Sequence, residues 1–270
     1  MKIGLLGGGA MGEAIIAAVT AGTDPIALPQ DVCVFDVVAP RVQYLVSTYG
    51  IQPAETPVDL VGATDFILLS VKPQDFEKAA APIAGRLGGT TALSIMAGVT
   101  LARLGRALQS ENIVRAMPNT PAQIGQGMTG WTATATVSEC AREGARRIFG
   151  ARGKEAYVPD EKYIDMVTGL SGSGPAYVFL FIEALTDAGV HIGLPRDIAS
   201  TMALQTVIGS ALYAEKTGKH PADLRNQVTS PGGTTAEGLR ALEQGNLRAG
   251  ILEAVIAAFE KSKALGEESK

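Results

Sequence analysis

The sequence predicts an α/β chain in two parts: an N-terminal doubly wound domain built on a parallel sheet, followed by an all-helical C-terminal domain. Three observations carry that expectation. Short apolar, β-branched runs alternate with helix-compatible segments over the first 157 residues, the pattern of βα units with helices on both sheet faces. Beyond Tyr157, Pro159, Asp160 and Glu161 form a polar break, and no convincing β run follows. The 32 glycines exceed the roughly 19 that average usage would give, and they cluster where a backbone turns sharply or approaches a ligand. The expected domains are therefore residues 1–157 and 158–270.

Taken in order, Lys2–Gly7 (KIGLLG) reads as a strand ending in glycine. Ala10–Ala21 reads as the helix that follows, with Met11, Ile15, Ile16 and Val19 as its apolar positions. Val32–Asp36, Phe66–Val71 and Thr91–Met96 are further strands with helix-compatible segments between them, and Asn112–Ala116 is the next. A glycine-rich stretch runs through Gly130, overlapping a strand at Met128–Ala135, and Ser138–Phe149 closes the first domain as a helix. In the second domain Pro175–Gly189 and Ile198–Leu212 have the apolar content of core helices. Residues 236–264 give a helix, a break at Gly245–Asn246 and a final amphipathic helix through Ile251, Val255, Ile256 and Phe259. A helical domain this apolar is expected to bury part of its surface against a second copy. A charged tail runs from Gly266 to Lys270.

Composition excludes several classes. A net charge of −4 leaves no basic footprint for nucleic acid. The only cysteines, Cys33 and Cys140, suit neither a disulfide framework nor a zinc cluster, so a reducing cytoplasm is expected. No run reaches the roughly 18 apolar residues of a membrane span, and Gly7–Gly9 break the only N-terminal apolar stretch, so neither a membrane segment nor a signal peptide is expected.

Chemistry is concentrated at glycine-rich helix starts. Gly7, Gly9 and Gly12 have the spacing GxGxxG directly after a strand and at the start of a helix, where the three positions serve a tight turn, approach to a pyrophosphate, and close helix–sheet packing. Asp36 ends the second strand, where a carboxylate accepts from the adenosine ribose and repels a 2′-phosphate. That favours NADH, although Arg41 stands close enough to take a phosphate instead, and Asp36 also reads as the start of a loop. Ser70, Val71, Lys72 and Pro73 follow the third strand, and Ala97 and Gly98 the fourth, all at the edge where open α/β sheets bind ligands. Lys72 is expected beside the cofactor, with a solvated strand end as the other reading. Asn119 and Thr120 suit a contact to a nicotinamide or a substrate, or equally a turn cap. In the second domain, SGSGPAY (171–177) and TSPGGTT (229–235) are further helix starts suited to a carboxylate, with simple N-capping by Ser230 or Thr234 as the other reading. His191 and His220 have no partners in a metal or triad spacing, and no metal site is expected. With no acid, base or nucleophile motif in view, the chemistry falls to a cofactor.

These residues also carry a resemblance. GLLGGGAMGEAI (4–15), SVKP (70–73), VRAMPNTP (114–121), TGLSGSGPAYVF (168–179), DAGVHIGLP (187–195) and VTSPGGTTAEGL (228–239) together resemble the pyrroline-5-carboxylate reductases along the whole chain. The resemblance implies a Rossmann-type N-terminal domain, a helical C-terminal domain that forms a homodimer with possible further assembly of dimers, and an active site at that interface. It implies reduction of 1-pyrroline-5-carboxylate to L-proline with NADPH or NADH. The cofactor would lie against Leu6, Gly7, Gly8, Gly9, Ala10, Met11, Gly12, Asp36, Ser70, Val71, Lys72, Pro73, Ala97, Gly98 and Asn119. Ser230, Gly232, Gly233 and Thr234 would hold the substrate carboxylate, and the Thr235 hydroxyl would hydrogen-bond the ring nitrogen as the catalytic group. Two positions depart from the family pattern: Asp36 and Val37 stand where many members carry Asn or Ser with Arg, and Pro57 replaces an Asn that touches the adenosine. Other readings are a two-domain hydroxy-acid dehydrogenase using Lys216 or Lys219, another imine reductase, and a dinucleotide sensor, for which TSPGGTT would have no use.

Overall fold

The computed structural model describes residues 1–62 and 64–267, so the end of the charged tail, 268–270, lies outside the described residues. The strands are β1 (Ile3–Leu6), β2 (Val32–Phe35), β3 (Gln52–Pro53), β4 (Phe66–Leu69), β5 (Thr91–Ser94), β6 (Ile113–Met117), β7 (Gly127–Ala133) and β8 (Gly153–Tyr157). Between and after them run α1 (Ala10–Val19), α2 (Ala39–Tyr49), α3 (Phe76–Ala80), α4 (Leu101–Leu108), α5 (Glu139–Gly150) and α6 (Lys162–Val167). A π turn (Thr168–Gly172) leads on to α7 (Gly174–His191), α8 (Arg196–Thr217), α9 (Pro221–Gln227), α10 (Thr234–Gln244) and α11 (Leu247–Glu267).

All eight strands form one sheet in the order β3-β2-β1-β4-β5-β6-β7-β8. The order reverses between β1 and β4, which pair in parallel from Ile3 opposite Phe66 to Leu6 opposite Leu69. That reversal is the switch point where such sheets bind ligands. Side chains alternate across the sheet. Ile3, Leu5, Val32, Val34, Phe66 and Leu68 pack with Ile15, Ile16 and Val19 of α1, Leu45 of α2, and Ala145, Ile148 and Phe149 of α5. Leu6, Ile67, Leu69, Ala92 and Ile113 pack on the opposite face with Phe76 and Ala80 of α3 and Leu104 and Leu108 of α4. Covering both faces is why β1 and β4 are continuous apolar runs.

Three features correct the sequence expectations. The sheet is not wholly parallel, because β7 runs antiparallel to β6; their short connection, Pro118–Gln126, is too brief for a crossover helix. Two strands lacked an apolar pattern: β3 is two exposed residues ending in proline, and β8 (GKEAY) is exposed to half-buried throughout. The compact units also do not divide at Tyr157. The first holds Met1–Ser173 with the end of α11 from Ala257, and the second is Gly174–Ile256.

Arg115 explains much of that division. Its side chain is 1% exposed on β6, with Nη1 donating to Glu161 Oε1 at 2.7 Å and Nη2 to Asp165 Oδ1 at 3.1 Å. Ser262 of α11 donates to the same Asp165 oxygen at 2.8 Å, and Glu161 Oε1 also accepts from Leu101 N at 2.6 Å. A buried guanidinium must be paired, so α6 and the end of α11 are fastened to the sheet.

In the second unit, α7 and α8 pack on each other, with Gly189 allowing Ala199 to approach to 3.0 Å of where a Cβ would stand. Little else is covered: Thr186 is the only buried residue of α7, and Ala199 and Ala203 the only ones of α8. Phe179, Leu180, Met202, Tyr213 and Leu252 are each more than half exposed. Among the described residues no helix is long and apolar enough to cross a membrane.

Replacing Arg115 by Ala is expected to lower unfolding free energy by about 3 kcal/mol, since it strands two carboxylates. Ser262→Ala should cost about 1 kcal/mol. Urea unfolding of each variant checks the ranking.

Candidate active site

The first candidate site lies at the carboxyl ends of β1, β2 and β4. Gly7 has φ +98°, a conformation that glycine adopts freely, and its N–H donates to Phe35 O at 2.9 Å. A Cβ at Gly12 would stand 2.8 Å from Ser70 Oγ and 2.9 Å from Gly7 O, so only glycine lets α1 lie this close. Gly9 is different, because a Cβ there would meet nothing within 4 Å. It is the N-cap of α1, exposed, with no side-chain capping bond. An open backbone at the positive end of a ten-residue helix is the cradle a pyrophosphate requires, so the residues present fit a dinucleotide. Leu6 and Gly8 are buried beneath this turn, whereas Ala10 is exposed and Met11 half-buried at its mouth.

Asp36 follows β2 and is half-buried. Its Oδ2 accepts from Gly8 N at 2.7 Å and its Oδ1 from Val38 N at 2.9 Å, so the carboxylate braces the glycine turn. Each oxygen keeps a lone pair for another donor. Beside it, Arg41 donates through Nε to the Gly8 carbonyl and through Nη2 to Glu13 Oε2 at 2.5 Å, while Tyr49 donates to Glu13 Oε1 at 2.9 Å. Burial pushes the Glu13 carboxyl up, but hydrogen bonds from Arg41, Tyr49 and Tyr44 outweigh it and leave the group below its ordinary value. The Tyr49 phenol is raised, by burial and then by the Glu13 carboxylate it serves. Glu13 and Tyr49 were missed in the sequence. An acid in the first turn after GxGxxG, where phosphate charge is expected, is the signal that marks Glu13.

The other loop residues are placed as follows. Ser70 donates its hydroxyl to Gly7 O, and Val71 Cγ1 lies 3.0 Å from where a Gly7 Cβ would be. Lys72 is exposed and precedes Pro73, which opens a single 3-10 turn. Ala97 is half-buried and Gly98 buried with φ +70°, its open side packed by Leu265 of α11. Asn119 is tied into the protein: Nδ2 donates to Ser171 O and Oγ at 3.3 Å, and Oδ1 accepts from Met128 N at 2.9 Å.

The second candidate site is the start of α10. Gly232 has φ +67°, a conformation that favours glycine, and a Cβ at Gly233 would meet the movable Ser230 hydroxyl, so the Pro-Gly-Gly turn depends chiefly on Gly232. Gly233 is the N-cap and has no side-chain capping bond, which sets aside simple capping by Ser230 or Thr234. Ser230, Gly232 and Thr234 are exposed, while Gly233 and Thr235 are half-buried. His191 is exposed, and His220 caps α9 through Nδ1, accepting from Ala222 N at 3.2 Å. Among the described residues no group of three His, Cys, Asp or Glu side chains is placed to hold a metal. Lys216 and Lys219 are both exposed.

The comparisons with known proteins follow this division. The family model for pyrroline-5-carboxylate reductase dimerisation matches residues 161–265, and that for coenzyme F420-dependent NADP oxidoreductases matches residues 2–98. A pyrroline-5-carboxylate reductase of Synechocystis sp. is 42% identical over 268 residues, 99% of each chain. The chain belongs to the pyrroline-5-carboxylate reductase family. Within that family, the solved reductase of Coxiella burnetii is 34% identical with a TM-score of 0.90, covering 98% of each chain. The reductase of Plasmodium falciparum, solved with NADP bound, is 32% identical with a TM-score of 0.88 over the same shares. The family thus accounts for the Rossmann-type sheet, as expected from the sequence.

Gly9→Ala is expected to leave the melting temperature unchanged, since its Cβ enters open space, while weakening dinucleotide binding about tenfold by filling the cradle. Gly12→Ala should instead destabilise the fold by about 1–3 kcal/mol through overpacking. Thermal melts and dinucleotide titrations separate the two.

Proposed function

We propose that this chain reduces 1-pyrroline-5-carboxylate to L-proline, the last step of proline biosynthesis, as a cytoplasmic homodimer using NADPH or NADH. The observation that carries the reading is the pair of glycine-capped helix starts: α1 follows a dinucleotide fingerprint, and α10 presents Ser230, Gly232, Gly233, Thr234 and Thr235 around a turn in which Gly232 has φ +67°. A reductase of a small carboxylate needs one anion site for each ligand. Identity of 42% over nearly the full length to a pyrroline-5-carboxylate reductase supports the same substrate.

When bound, the dinucleotide supplies the hydride. Leu6–Gly12 and the Ser70–Pro73, Ala97–Gly98 and Asn119 loops form its edge of the sheet, and Asp36 meets the adenosine ribose. The Ser230 hydroxyl and the backbone N–H groups from Gly232 to Thr234 hold the substrate carboxylate at the positive end of α10. The Thr235 hydroxyl hydrogen-bonds the ring nitrogen. As hydride reaches C5, the C=N π electrons return to that nitrogen, which keeps the proton it carried as an iminium. A positioned hydroxyl steadies this change without titrating, and orientation supplies much of the acceleration. The unit built on the sheet serves the dinucleotide, and Gly174–Ile256 serves the substrate and the dimer. The exposed apolar side chains of α7, α8 and α11 support that dimer, because a partner's surface would cover them.

Purified protein given pyrroline-5-carboxylate should oxidise NADPH or NADH, followed as loss of absorbance; oxidation of neither by folded protein overturns the reading. Thr235→Ala should lower kcat about tenfold to a hundredfold with little change in dinucleotide affinity. Steady-state kinetics checks this, and unchanged turnover would remove Thr235 from the reaction.

A further inference from the structure

The cluster beside Asp36 carries more than the dinucleotide fingerprint requires. In sheets of this kind the adenosine ribose meets the residue that ends β2, and a neighbouring arginine accommodates a 2′-phosphate where one is bound. Here that residue is Asp36, and the neighbouring arginine is Arg41. Arg41 is not free to turn toward a phosphate. Its Nε is bonded to the Gly8 carbonyl, its Nη2 is paired with Glu13, and its guanidinium lies 5.2 Å from the centre of the Tyr44 ring. Glu13 in turn is held from its other oxygen by Tyr49. Asp36 and Glu13 bring two negative charges to this edge and Arg41 one positive, so the cluster is net negative.

We propose that Glu13 is a positioning residue for dinucleotide choice: by locking Arg41 onto the glycine turn it withholds that guanidinium from the 2′ position and favours NADH over NADPH. Three features support this. Both carboxylate oxygens of Glu13 are occupied by fixed donors, so the pair is pre-organised rather than a passing surface contact. The arginine and its acid are each about three-quarters covered, with side chains 26% and 22% exposed, so solvent screens them incompletely. Asp36 keeps spare acceptor capacity, which suits ribose hydroxyls and repels a phosphate dianion. A charged hydrogen bond to a 2′-phosphate is strong, so the placement of one guanidinium is enough to decide between the two dinucleotides.

The inference rests on the dinucleotide reading of the glycine turn, and its test needs no turnover. Calorimetric titration of the full-length protein with ADP-ribose and with 2′-phospho-ADP-ribose reads the adenosine end alone. The wild-type protein should bind ADP-ribose more tightly. Glu13→Gln should tighten 2′-phospho-ADP-ribose about tenfold while moving ADP-ribose less than about twofold. Adding Arg41→Ala to that variant should erase the gain, because the guanidinium is the group released. Tyr49→Phe, a gentler change, should move the ratio the same way by about threefold, and it carries the test if Glu13→Gln does not fold. Equal shifts for both ligands, or a gain that survives loss of Arg41, overturn the role of Glu13 while leaving the dinucleotide site intact. Folded protein that binds neither ligand overturns the dinucleotide reading itself, and the inference with it.

Discussion

The first unit depends on how closely α1 can lie across the carboxyl ends of β1 and β4. At Gly12 the distance from a would-be Cβ to Ser70 Oγ and Gly7 O is under 3 Å, and at Gly7 the same is true of the Ser70 backbone. Any side chain at either position would lift the helix from the sheet. Because none is present, the Ser70 hydroxyl reaches Gly7 O, the turn is fixed, and Gly9 is left as the open N-cap at the switch point. The acid of Asp36 then braces the turn from the β2 side through Gly8 N. Close packing and ligand access are therefore joined in one turn, with Gly7 and Gly12 permitting the packing and Gly9 leaving the helix end bare.

A second constraint acts farther along the sheet. Placing Arg115 in a strand covered on both faces obliges the chain to bring carboxylates to it, and they come from α6. Asp165 also takes the Ser262 hydroxyl, and Glu161 takes the backbone N–H of Leu101, the residue that opens α4 just after the Gly98 loop. One buried charge thus links β6, α4, α6 and the end of α11. Such a network contributes less net stability than its short distances suggest, because desolvation offsets the attraction, but losing any member leaves the rest unpaired. It fixes which segments travel with the sheet.

Strands covered on both faces were legible in the sequence as β-branched apolar runs, and so were the helices that cover them. What escaped was the edge. Gln52–Pro53 is exposed, and Gly153–Tyr157 is exposed to half-buried and fastened by polar and aromatic contacts such as Trp131 Nε1 donating to Glu155, so neither leaves an apolar pattern to read. The turn to antiparallel at β7 and the assignment of α6 to the first unit rest on connection length and on ion pairs spanning 46 and 50 residues, which local patterns do not encode. Gly7, Gly12 and Gly232 were legible because positive φ or close approach selects glycine by sterics, and Gly9 and Gly233 by their place in the same motifs. Glu13 was not, since its partners Arg41 and Tyr49 come from a different helix and meet it only in the folded chain.

Helix capping offers an independent view of the two anion sites. Two helices of the first unit start on side-chain caps, Thr100 accepting from Arg103 N at α4 and Ser138 from Ala141 N at α5, while α2, α3 and α6 start without one. α1 and α10 both start on a glycine N-cap, and neither has a side-chain cap. Glycine costs only a few tenths of a kcal/mol against serine at that position, so leaving these ends uncapped is a small sacrifice of stability. What is retained is a set of N–H groups with no competing side-chain oxygen, at the end of the helix that favours negative charge. On the proposed reading one end receives a pyrophosphate and the other a carboxylate. An internal acid at either end would compete with the ligand; Glu237 in the first turn of α10 is paired with Arg240, and Glu13 in the first turn of α1 has its charge drawn aside by Arg41 and Tyr49. The same pairing that keeps Arg41 from the ribose therefore also shields the pyrophosphate site from the nearest carboxylate on its own helix.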